Sequence, residues 1–423
     1  PENAVEWDIT WLKNKIVKVK LNKKGTPSMT SQDPIVIVNY ARTPMGAFQG
    51  ALSDVSSTKL GSVAIEAAVA RSGLTAKDIE EVIMGLVLPA GLGQAPARQA
   101  AIGAGLPLST ACTNLNKMCG SGMKAVMMAH DQLLAGTSTV MVAGGMESMT
   151  NAPYLLPNAR SGMRMGHGEV KDHMFLDGLE DAYDKGKLMG VFAEATAAKY
   201  GFTRQAQDDF AIGSVNRANK AIEEGAFKEE ITPVEFETRK GVTVVDTDES
   251  PLKANVEKIP ELRAAFAKDG TVTAANSSSI SDGAAALVMM KQSEAEKRGL
   301  KPVAKIVAHA SNAHEPAWFT TAPVGAIEKV FAKTGWSDDD VDLYEINEAF
   351  AVVTMAAMKD LNLPHSKVNI HGGACALGHP IGASGARIIT TLISALKKVN
   401  GTKGIASLCI GGGEAVAVAV EIL

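Results

Sequence analysis

The sequence has few cysteines, no long apolar run and no excess of basic residues, and each shortage excludes a class of protein. Its four cysteines form no CxxC pair, so they indicate neither a zinc site nor a disulfide framework and suggest a reducing compartment. No apolar run reaches about 18 residues, the length that spans a bilayer. The net charge is −4, and no long basic run follows residue 28, which argues against a nucleic-acid partner.

The chain does have length and a globular composition. With 46% hydrophobic residues and 40 glycines, its 423 residues are too many for one ordinary core, so we expect two or three core-bearing units. Residues 1–28 begin with Pro1, and Met29 stands where an initiator would. We therefore interpret residues 1–28 as a leader added for expression, with a native basic extension as the alternative. Residues 16–21 alternate partly and could add a strand.

Alternating strand-like and helix-like segments predict an α/β protein whose strands are buried on both faces. The patterns predict strands at residues 34–40, 82–88, 139–143 and 404–408, and helices at residues 60–71, 98–104, 123–134, 189–200 and 204–224. Residues 151–275 are richer in charge, methionine and loop residues, and residues 241–253 within them are polar and expected to be exposed. We expect this part to be an insertion that covers the core and holds substrate.

The second half of the chain repeats the pattern of the first. The segment GLTAKDIEEV from Gly73 matches GWSDDDVDLY from Gly335, and SGMKAV from Ser121 matches SGARII from Ser384. The spacing is 48 residues (73 to 121) in one half and 49 (335 to 384) in the other. This repetition predicts two equivalent α/β halves whose loops meet at one shared site. In this pairing Cys119 falls opposite a glycine, so the halves divide the chemistry between them.

The predicted domain boundaries follow from this repetition. They are 29–150 for the N-terminal half, 151–275 for a loop domain inserted over the active site, 276–301 for a return segment that completes the N-terminal half, and 302–423 for the C-terminal half.

Cys119 is the first candidate for chemistry. It lies in NKMCGSG, directly before an apolar helix-like run, where backbone N–H groups and the helix dipole favour a thiolate. The alternative is a small buried thiol that fills a gap, as most free cysteines do. Three more polar clusters follow. Asn347 begins NEAF and could cap a helix, His379 lies in GHPIG and could be a hydrogen-bonded core histidine, and Cys409 begins CIGGG and could serve packing.

Taken in order, these motifs resemble those of the thiolase family. The matching segments are NKMCGSGMKA, GGMESM, NEAFA, GGACALGHPIGASGAR and CIGGGEA, and the resemblance covers essentially all of residues 33–423. It implies the duplicated thiolase-like fold, in which two α/β halves pack as αβαβα layers. It also implies an acyltransferase that reversibly condenses two acetyl-CoA into acetoacetyl-CoA plus CoA, by a ping-pong mechanism through an acetyl-cysteine.

Other functions remain as alternatives to this activity. A degradative 3-ketoacyl-CoA thiolase of fatty-acid β-oxidation uses the same catalytic groups and differs only in the shape of its pocket. A decarboxylating ketoacyl synthase shares the duplicated fold but needs no thiol base, so Cys409 argues against it. A thiol-based redox sensor or a lipid-binding scaffold would be a non-catalytic alternative, since two cysteines that meet in space can oxidise.

The resemblance assigns roles to five catalytic residues. Cys119 would be the nucleophile that carries the acetyl group, and His379 would accept its proton as an imidazole with a pKa near neutrality. The backbone N–H groups of Cys119 and Gly411 would form an oxyanion hole. Cys409 would remove a proton from the second acetyl-CoA as general base. The enolate oxygen would be held by His379 and by a water molecule on Asn347.

The resemblance also points to residues that bind the thioester. Ser278 would touch the pantetheine arm, Phe350 would line the acyl pocket, and Met189 would contact CoA beside Leu188, which stands where the family has a histidine. Core packing is the alternative for Met189 and Phe350, and a helix cap for Ser278.

The implied partners are acetyl-CoA, acetoacetyl-CoA and CoA, and coenzyme A acts as substrate and product, so we expect no resident cofactor and no metal. We expect a homodimer or homotetramer in the cytoplasm, with no nucleic-acid and no membrane partner. Two cysteines, Cys112 and Cys375, receive no catalytic role. Three histidines also receive none, and we expect them to be structural or solvent-facing: His167, His173 and His371.

Overall fold

The computed structural model describes residues 33–239 and 241–423, so the leader and the predicted strand at residues 16–21 lie outside the described residues. The first elements are β1 (Ile35–Arg42), β2 (Gly46–Ala47), α1 (Ser57–Ser72), β3 (Glu81–Gly85), α2 (Pro96–Gly103), β4 (Ala111–Leu115), α3 (Ser121–Ala135) and β5 (Val140–Ser148). The predicted strands and helices in this region are confirmed to within a few residues, because local apolar patterns and caps determine them.

The segment that follows β5 contains short strands and longer helices. They are β6 (Tyr154–Leu155), β7 (Lys171–Asp172), α4 (Met189–Tyr200), α5 (Arg204–Glu223), β8 (Val234–Thr238), β9 (Gly241–Val245) and α6 (Glu249–Lys253). The two predicted helices are confirmed. Residues 241–253, expected only as an exposed polar stretch, contain β9, which pairs with β8 as an antiparallel hairpin, and the helix α6.

The remaining elements return to long strands and apolar helices. They are β10 (Ser281–Lys291), α7 (Gln292–Lys297), β11 (Ala304–Ala313), α8 (Ala322–Thr334), β12 (Leu343–Ile346), α9 (Ala351–Asp360), α10 (Ala374–Leu377), α11 (Ser384–Val399), β13 (Lys403–Ile410) and β14 (Glu414–Ile422). In the described part of the chain, no helix combines the length and the apolar character that crossing a bilayer requires.

The strands form one mixed sheet in which each half repeats the same order. Within the described residues, the sheet runs β12-β13-β14-β11-β1-β10-β5-β3-β4, with β2 beside β10. Outward from the centre, β1-β10-β5-β3-β4 corresponds to β11-β14-β13-β12, with the same parallel and antiparallel pairings. A single parallel bridge between Tyr344 and Val368 stands in the place of β4. The two halves join where β1 and β11 pair over two residues.

The two faces of the sheet enter different cores, which produces five layers. Because side chains alternate along a strand, Ile35 and Ile37 of β1 pack in the cluster that contains α3 and α11, whereas Val36 packs with α1 on the other face. On β14, Val416 enters the central cluster and Ala417 packs with α8 on the opposite face. The two halves of the sheet pack on opposite sides of α3 and α11, so the layers are helices, half-sheet, α3 with α11, half-sheet and helices, as predicted.

The duplication is also visible in the turns. Thr75 and Asp78 form a capping box at a short 3₁₀ helix, and Ser337 and Asp340 form the same motif at the matching position. Each motif follows a helix that ends at a left-handed glycine, with φ of +77° and +73°. Identical local chemistry at matching positions supports a common origin of the two halves.

The N-terminal ends of α3 and α11 touch through two glycines. A Cβ atom at Gly122 would lie 2.8 Å from the backbone nitrogen of Ala386, and a Cβ atom at Gly385 would overlap the backbone nitrogen of Met123. The two helices can approach this closely only without side chains at both positions. This reciprocal contact brings together the loops that precede the helices, and these loops carry Cys119 and His379.

Candidate active site

Cys119 lies in a tight turn between β4 and α3. The preceding residue, Met118, has a φ of +47°, which is unfavourable for a residue with a side chain. The hydroxyl group of Ser121 accepts a hydrogen bond from the Lys117 N–H at 2.8 Å and donates to the Met118 carbonyl at 2.7 Å. These bonds hold the strained turn, so the position of Cys119 is set by the backbone around it.

The glycine-rich turn after β13 packs against the Cys119 turn. A Cβ atom at Gly120 would overlap the side chain of Ile410, so the residues beside Cys119 and beside Cys409 are in contact. The backbone N–H groups of Gly411 and of Cys119 itself lie close enough to the Cys119 sulfur to lower its pKa. These are the two N–H groups predicted to form the oxyanion hole.

His379 is held in one tautomer. The Ser384 hydroxyl donates to the Pro380 carbonyl at 2.9 Å, so at 2.6 Å it accepts from Nδ1–H of His379. Nε2 therefore carries the lone pair, and it has no hydrogen-bond partner among the described residues. A neutral imidazole with an unpaired Nε2 at the cavity wall is suited to accept a proton.

Asn347 and Cys409 lie behind the cavity wall. Asn347 is 1% exposed, its N–H donates to the Ser407 carbonyl at 3.0 Å, and its amide nitrogen is 3.5 Å from Nδ1 of His379. It does not cap α9, because Phe350 occupies the N-cap position. Cys409 is fully buried in β13, and a charge on Cys119 acts on it. The groups predicted from distant parts of the chain therefore lie in one site.

A cavity of about 550 Å³ opens at these loops. Seven of the nine predicted site residues line it: Cys119, Leu188, Met189, Ser278, Phe350, His379 and Gly411. Ser278 is not a helix cap, since its N–H donates to the Ala349 carbonyl at 2.9 Å and strand β10 follows. Aromatic rings from five separate segments make the wall largely apolar: Phe48, Phe175, Phe266, Phe319 and Phe350.

Burial determines the protonation states of the site. It raises the pKa of Cys119 to about 11, although the Gly411 N–H lowers it in part. Burial, followed by the nearby Arg387 charge, lowers the pKa of His379 to about 3. The resting pair is therefore a neutral thiol and a neutral imidazole. Desolvation outweighs the hydrogen bonds and the position before α3 that would favour a thiolate, so both pKa values shift towards the neutral forms.

The second thiol is neutral for the same reason. Burial raises the pKa of Cys409 well above its ordinary value, and a negative charge on Cys119 raises it further. Because the two thiols are coupled, ionising one makes ionising the other harder, so at most one of them carries a charge at a time.

Glu147, in the GGMESM motif, is a residue whose role the sequence did not reveal. Its buried carboxylate accepts hydrogen bonds from the N–H groups of Val87, Leu88 and Gly382, at 2.9, 3.1 and 2.9 Å. It thereby fastens the His379 loop of the second half to the first half. Burial and the nearby Asp282 charge raise the pKa of Glu147 to about 7. The available signal was a lone carboxylate four residues after the apolar run at residues 139–143.

Glu348 supports the Asn347 loop in a similar way. Its buried carboxylate accepts from Ser214 at 2.7 Å, from Asn369 at 2.8 Å and from the N–H of Cys375 at 3.1 Å. Burial raises its pKa. The residues predicted to have no catalytic role lie outside the cavity lining: Cys112, Cys375, His167, His173 and His371. His173 is buried beside Asp177 at 2.7 Å, and His167 is exposed.

The fold is a duplicated α/β fold, and a cysteine and a histidine from opposite halves line one cavity. This combination is typical of an enzyme with a cysteine nucleophile. Residues 35–293 match the thiolase N-terminal domain, and residues 300–422 match the thiolase C-terminal domain. The chain belongs to the thiolase family, which confirms the resemblance read from its motifs.

Individual relatives agree with this assignment. The chain is 48% identical to an acetyl-CoA acetyltransferase of Allochromatium vinosum, over 92% of this chain and 98% of the relative. It is 48% identical to a cytosolic acetyl-CoA acetyltransferase of Mus musculus, over 92% and 98%. The crystal structure of Acat5 thiolase from Ascaris suum in complex with coenzyme A has a TM-score of 0.87 and 42% identity, over 92% of this chain and 100% of that chain.

Proposed function

We propose that this chain is an acetyl-CoA acetyltransferase, which reversibly condenses two molecules of acetyl-CoA into acetoacetyl-CoA and CoA. The observation that carries the proposal is that Cys119, His379 and Gly411 line one cavity, with the N–H groups of Gly411 and Cys119 near the Cys119 sulfur. The names of the relatives, at 48% identity over nearly their full length, support the choice of acetyl-CoA as substrate.

The first half of the reaction transfers an acetyl group to Cys119. The sulfur attacks the thioester carbon while Nε2 of His379 takes the thiol proton, and the oxyanion is bound by the N–H groups of Cys119 and Gly411. When the tetrahedral intermediate collapses, the departing CoA thiolate takes the proton of Cys409. The site then holds acetyl-Cys119, an imidazolium and a Cys409 thiolate, and CoA leaves as a neutral thiol.

The second half forms the carbon–carbon bond. The Cys409 thiolate removes a methyl proton from a second acetyl-CoA, and the enolate oxygen is stabilised by the His379 imidazolium and a water on Asn347. The carbanion attacks acetyl-Cys119 at the same oxyanion hole. Collapse releases acetoacetyl-CoA and a Cys119 thiolate, which recovers its proton from His379. Acetylation of Cys119 favours this step, because an acetylated sulfur cannot ionise and so cannot develop the charge that would oppose ionisation of Cys409.

A degradative 3-ketoacyl-CoA thiolase is the second candidate, and one observation favours it. Leu188 lines the cavity where the family has a histidine, and the surrounding wall is rich in phenylalanine. Against such a wall, each buried methylene group of a longer acyl chain makes the binding free energy more favourable by about 0.8 kcal/mol. Activity towards acetoacetyl-CoA and towards a 3-ketoacyl-CoA of six to ten carbons, measured side by side, separates the two candidates.

The assembly we propose is a homodimer or homotetramer in the cytoplasm, with no resident cofactor. Strand β4 supports self-association, because it is an edge strand whose residues are exposed or half-buried and it leads directly into the Cys119 turn. An unpaired edge of this kind is a template for pairing with another chain. The cytosolic name of the Mus musculus relative supports the compartment.

Mass spectrometry of the acyl-enzyme tests the proposed function. After mixing with acetyl-CoA alone, the peptide that contains Cys119 should gain one acetyl group in the wild type and none in Cys119→Ala. The variant Cys409→Ala should still acetylate, with CoA leaving as the thiolate, but it should fail to form acetoacetyl-CoA. Acetylation elsewhere, or near-normal condensation by Cys409→Ala, contradicts the assigned roles.

A further inference from the structure

Two histidines and an aspartate converge outside the lining of the catalytic cavity. His130 and Asp131 lie near the C-terminal end of α3, and His309 lies on β11. Nδ1 of His130, Nε2 of His309 and Oδ1 of Asp131 are 3.2, 2.9 and 3.0 Å from one another. Among the residues that the structure describes, these three are the one group of histidine, cysteine and carboxylate ligand atoms close enough to hold an ion.

Hydrogen bonding cannot satisfy all three contacts at once. Each ring nitrogen carries either one hydrogen or one lone pair, and an ionised carboxylate only accepts. If both rings donate to Asp131, their two N–H groups face each other at 3.2 Å. If His309 donates to His130 instead, the acceptor lone pair of His130 faces the Asp131 oxygen at 3.0 Å. A cation bound by three lone pairs removes this conflict.

The spacing of the three atoms fits a transition-metal ion. Zinc lies about 2.0–2.2 Å from imidazole nitrogen and carboxylate oxygen. Atoms at that radius and 2.9–3.2 Å apart subtend angles of about 90–100° at the ion. That is one face of a coordination polyhedron. Its remaining positions would face solvent, since the Asp131 side chain is 59% exposed and the His130 and His309 side chains are 13% and 15% exposed.

The three side chains are of the kinds that zinc binds, since imidazole nitrogen and carboxylate oxygen are both common ligands of this ion. One group opposes binding: the Lys333 ammonium donates to the backbone oxygen of His309 at 2.7 Å and adds positive charge nearby.

We propose that His130, Asp131 and His309 form a binding site for a divalent transition-metal ion of the zinc class. The ligands come from both halves of the fold, and Asp131 and His309 are 178 residues apart along the chain. A short sequence motif therefore cannot reveal the site. A bound ion would tie α3, which begins two residues after Cys119, to strand β11 of the second half. Its role is to stabilise the junction of the halves, since metal binding to the folded state raises stability by mass action.

Titration of the full chain, after treatment with a chelator, tests the site. We expect one equivalent of Zn²⁺ by calorimetry, together with a rise in melting temperature that the chelator reverses. His309→Gln and Asp131→Asn should each weaken binding at least tenfold. His167→Gln is the matched control, because His167 is exposed and is not a member of the group, and it should bind as the wild type does. Lys333→Met should tighten binding.

Cobalt(II) separates this site from the thiols of the catalytic cavity, which could also take up zinc. Ligation by nitrogen and oxygen gives visible bands without a thiolate-to-cobalt charge-transfer band in the near ultraviolet. A spectrum of that kind, lost in His309→Gln, supports the proposal. A thiolate band that disappears in Cys119→Ala overturns it. An unchanged equivalent of Zn²⁺ in both ligand variants, or no Zn²⁺ binding by the wild type, also overturns it.

Discussion

The hydroxyl group of Ser384 lies 2.6 Å from Nδ1 of His379 and sets which imidazole nitrogen acts as the base. Because this hydroxyl already donates to the Pro380 carbonyl, it can only accept from His379. The proton is thus fixed on Nδ1 and the lone pair on Nε2. Ser384 is the first residue of α11, so the start of a helix holds the tautomer that acetyl transfer needs.

Ser384→Ala should slow acetyl transfer about tenfold, because the imidazole loses the acceptor that fixes its tautomer. The measurement is the rate of acyl-enzyme formation, together with nitrogen NMR of the imidazole, which should show both tautomers in the variant. A merely structural role would lower the melting temperature and leave the tautomer unchanged.

Alkylation of Cys119 by iodoacetamide should rise about tenfold for each pH unit between pH 7 and pH 10, without a plateau. Burial raises the pKa of this thiol to about 11, so the thiolate fraction is small throughout that range. Peptide mass spectrometry measures the rate, and glutathione serves as the control thiol. A plateau below pH 8 would show a resting thiolate–imidazolium pair.

Asn347→Ala should slow condensation about 100-fold and acetyl transfer much less, since a lost oxyanion donor typically costs about 3 kcal/mol. The reason is that, in the proposed mechanism, the water on Asn347 acts only on the enolate. Single-turnover acetylation and steady-state condensation are compared in the same preparation. Equal slowing of both steps would contradict the enolate role.

Glu147→Gln should remove a pH dependence of stability. The pKa of Glu147 in the folded state is about 7, above the ordinary value of 4.5, so the wild type loses stability as the pH rises from about 4.5 through 7. The free energy of unfolding of the wild type relative to the variant should fall by on the order of 3 kcal/mol between pH 4.5 and pH 8. Denaturant titrations at several pH values measure it, and a constant difference would refute the shift.

Leu188→His should shift the chain-length preference towards acetoacetyl-CoA. A polar ring replaces an apolar wall, so each buried methylene group of a longer substrate loses part of its gain of about 0.8 kcal/mol. We expect the ratio of kcat/KM for acetoacetyl-CoA to that for a six-carbon 3-ketoacyl-CoA to rise about fourfold or more. Leu188→Met is the apolar control and should leave this ratio unchanged.

The local patterns of the sequence predicted most of the fold. The continuous apolar runs of β1 and β5 and the matching turns at Thr75 and Ser337 depend on neighbouring residues, which a sequence displays directly. Hairpin β8–β9 was missed, because its strands are short and largely exposed, and so they lack the apolar run that marks a buried strand.

The positions of the site residues were predictable, but their protonation states were not. Motif order placed Cys119, His379 and Gly411 together because these residues flank helices and strands of the repeated halves. The pKa of a thiol depends on how deeply the protein buries it, and the spacing of motifs in a sequence does not reveal burial. Glu147 was missed for a related reason: its three partners are backbone groups, which every sequence contains.

The reciprocal contact of Gly122 and Gly385 sets the separation of the starts of α3 and α11 through two peptide backbones. Side-chain motion cannot change this separation. The close approach therefore requires that neither position carries a side chain. An alanine at either position would force the halves apart and abolish activity, although its side chain would contact no reacting group.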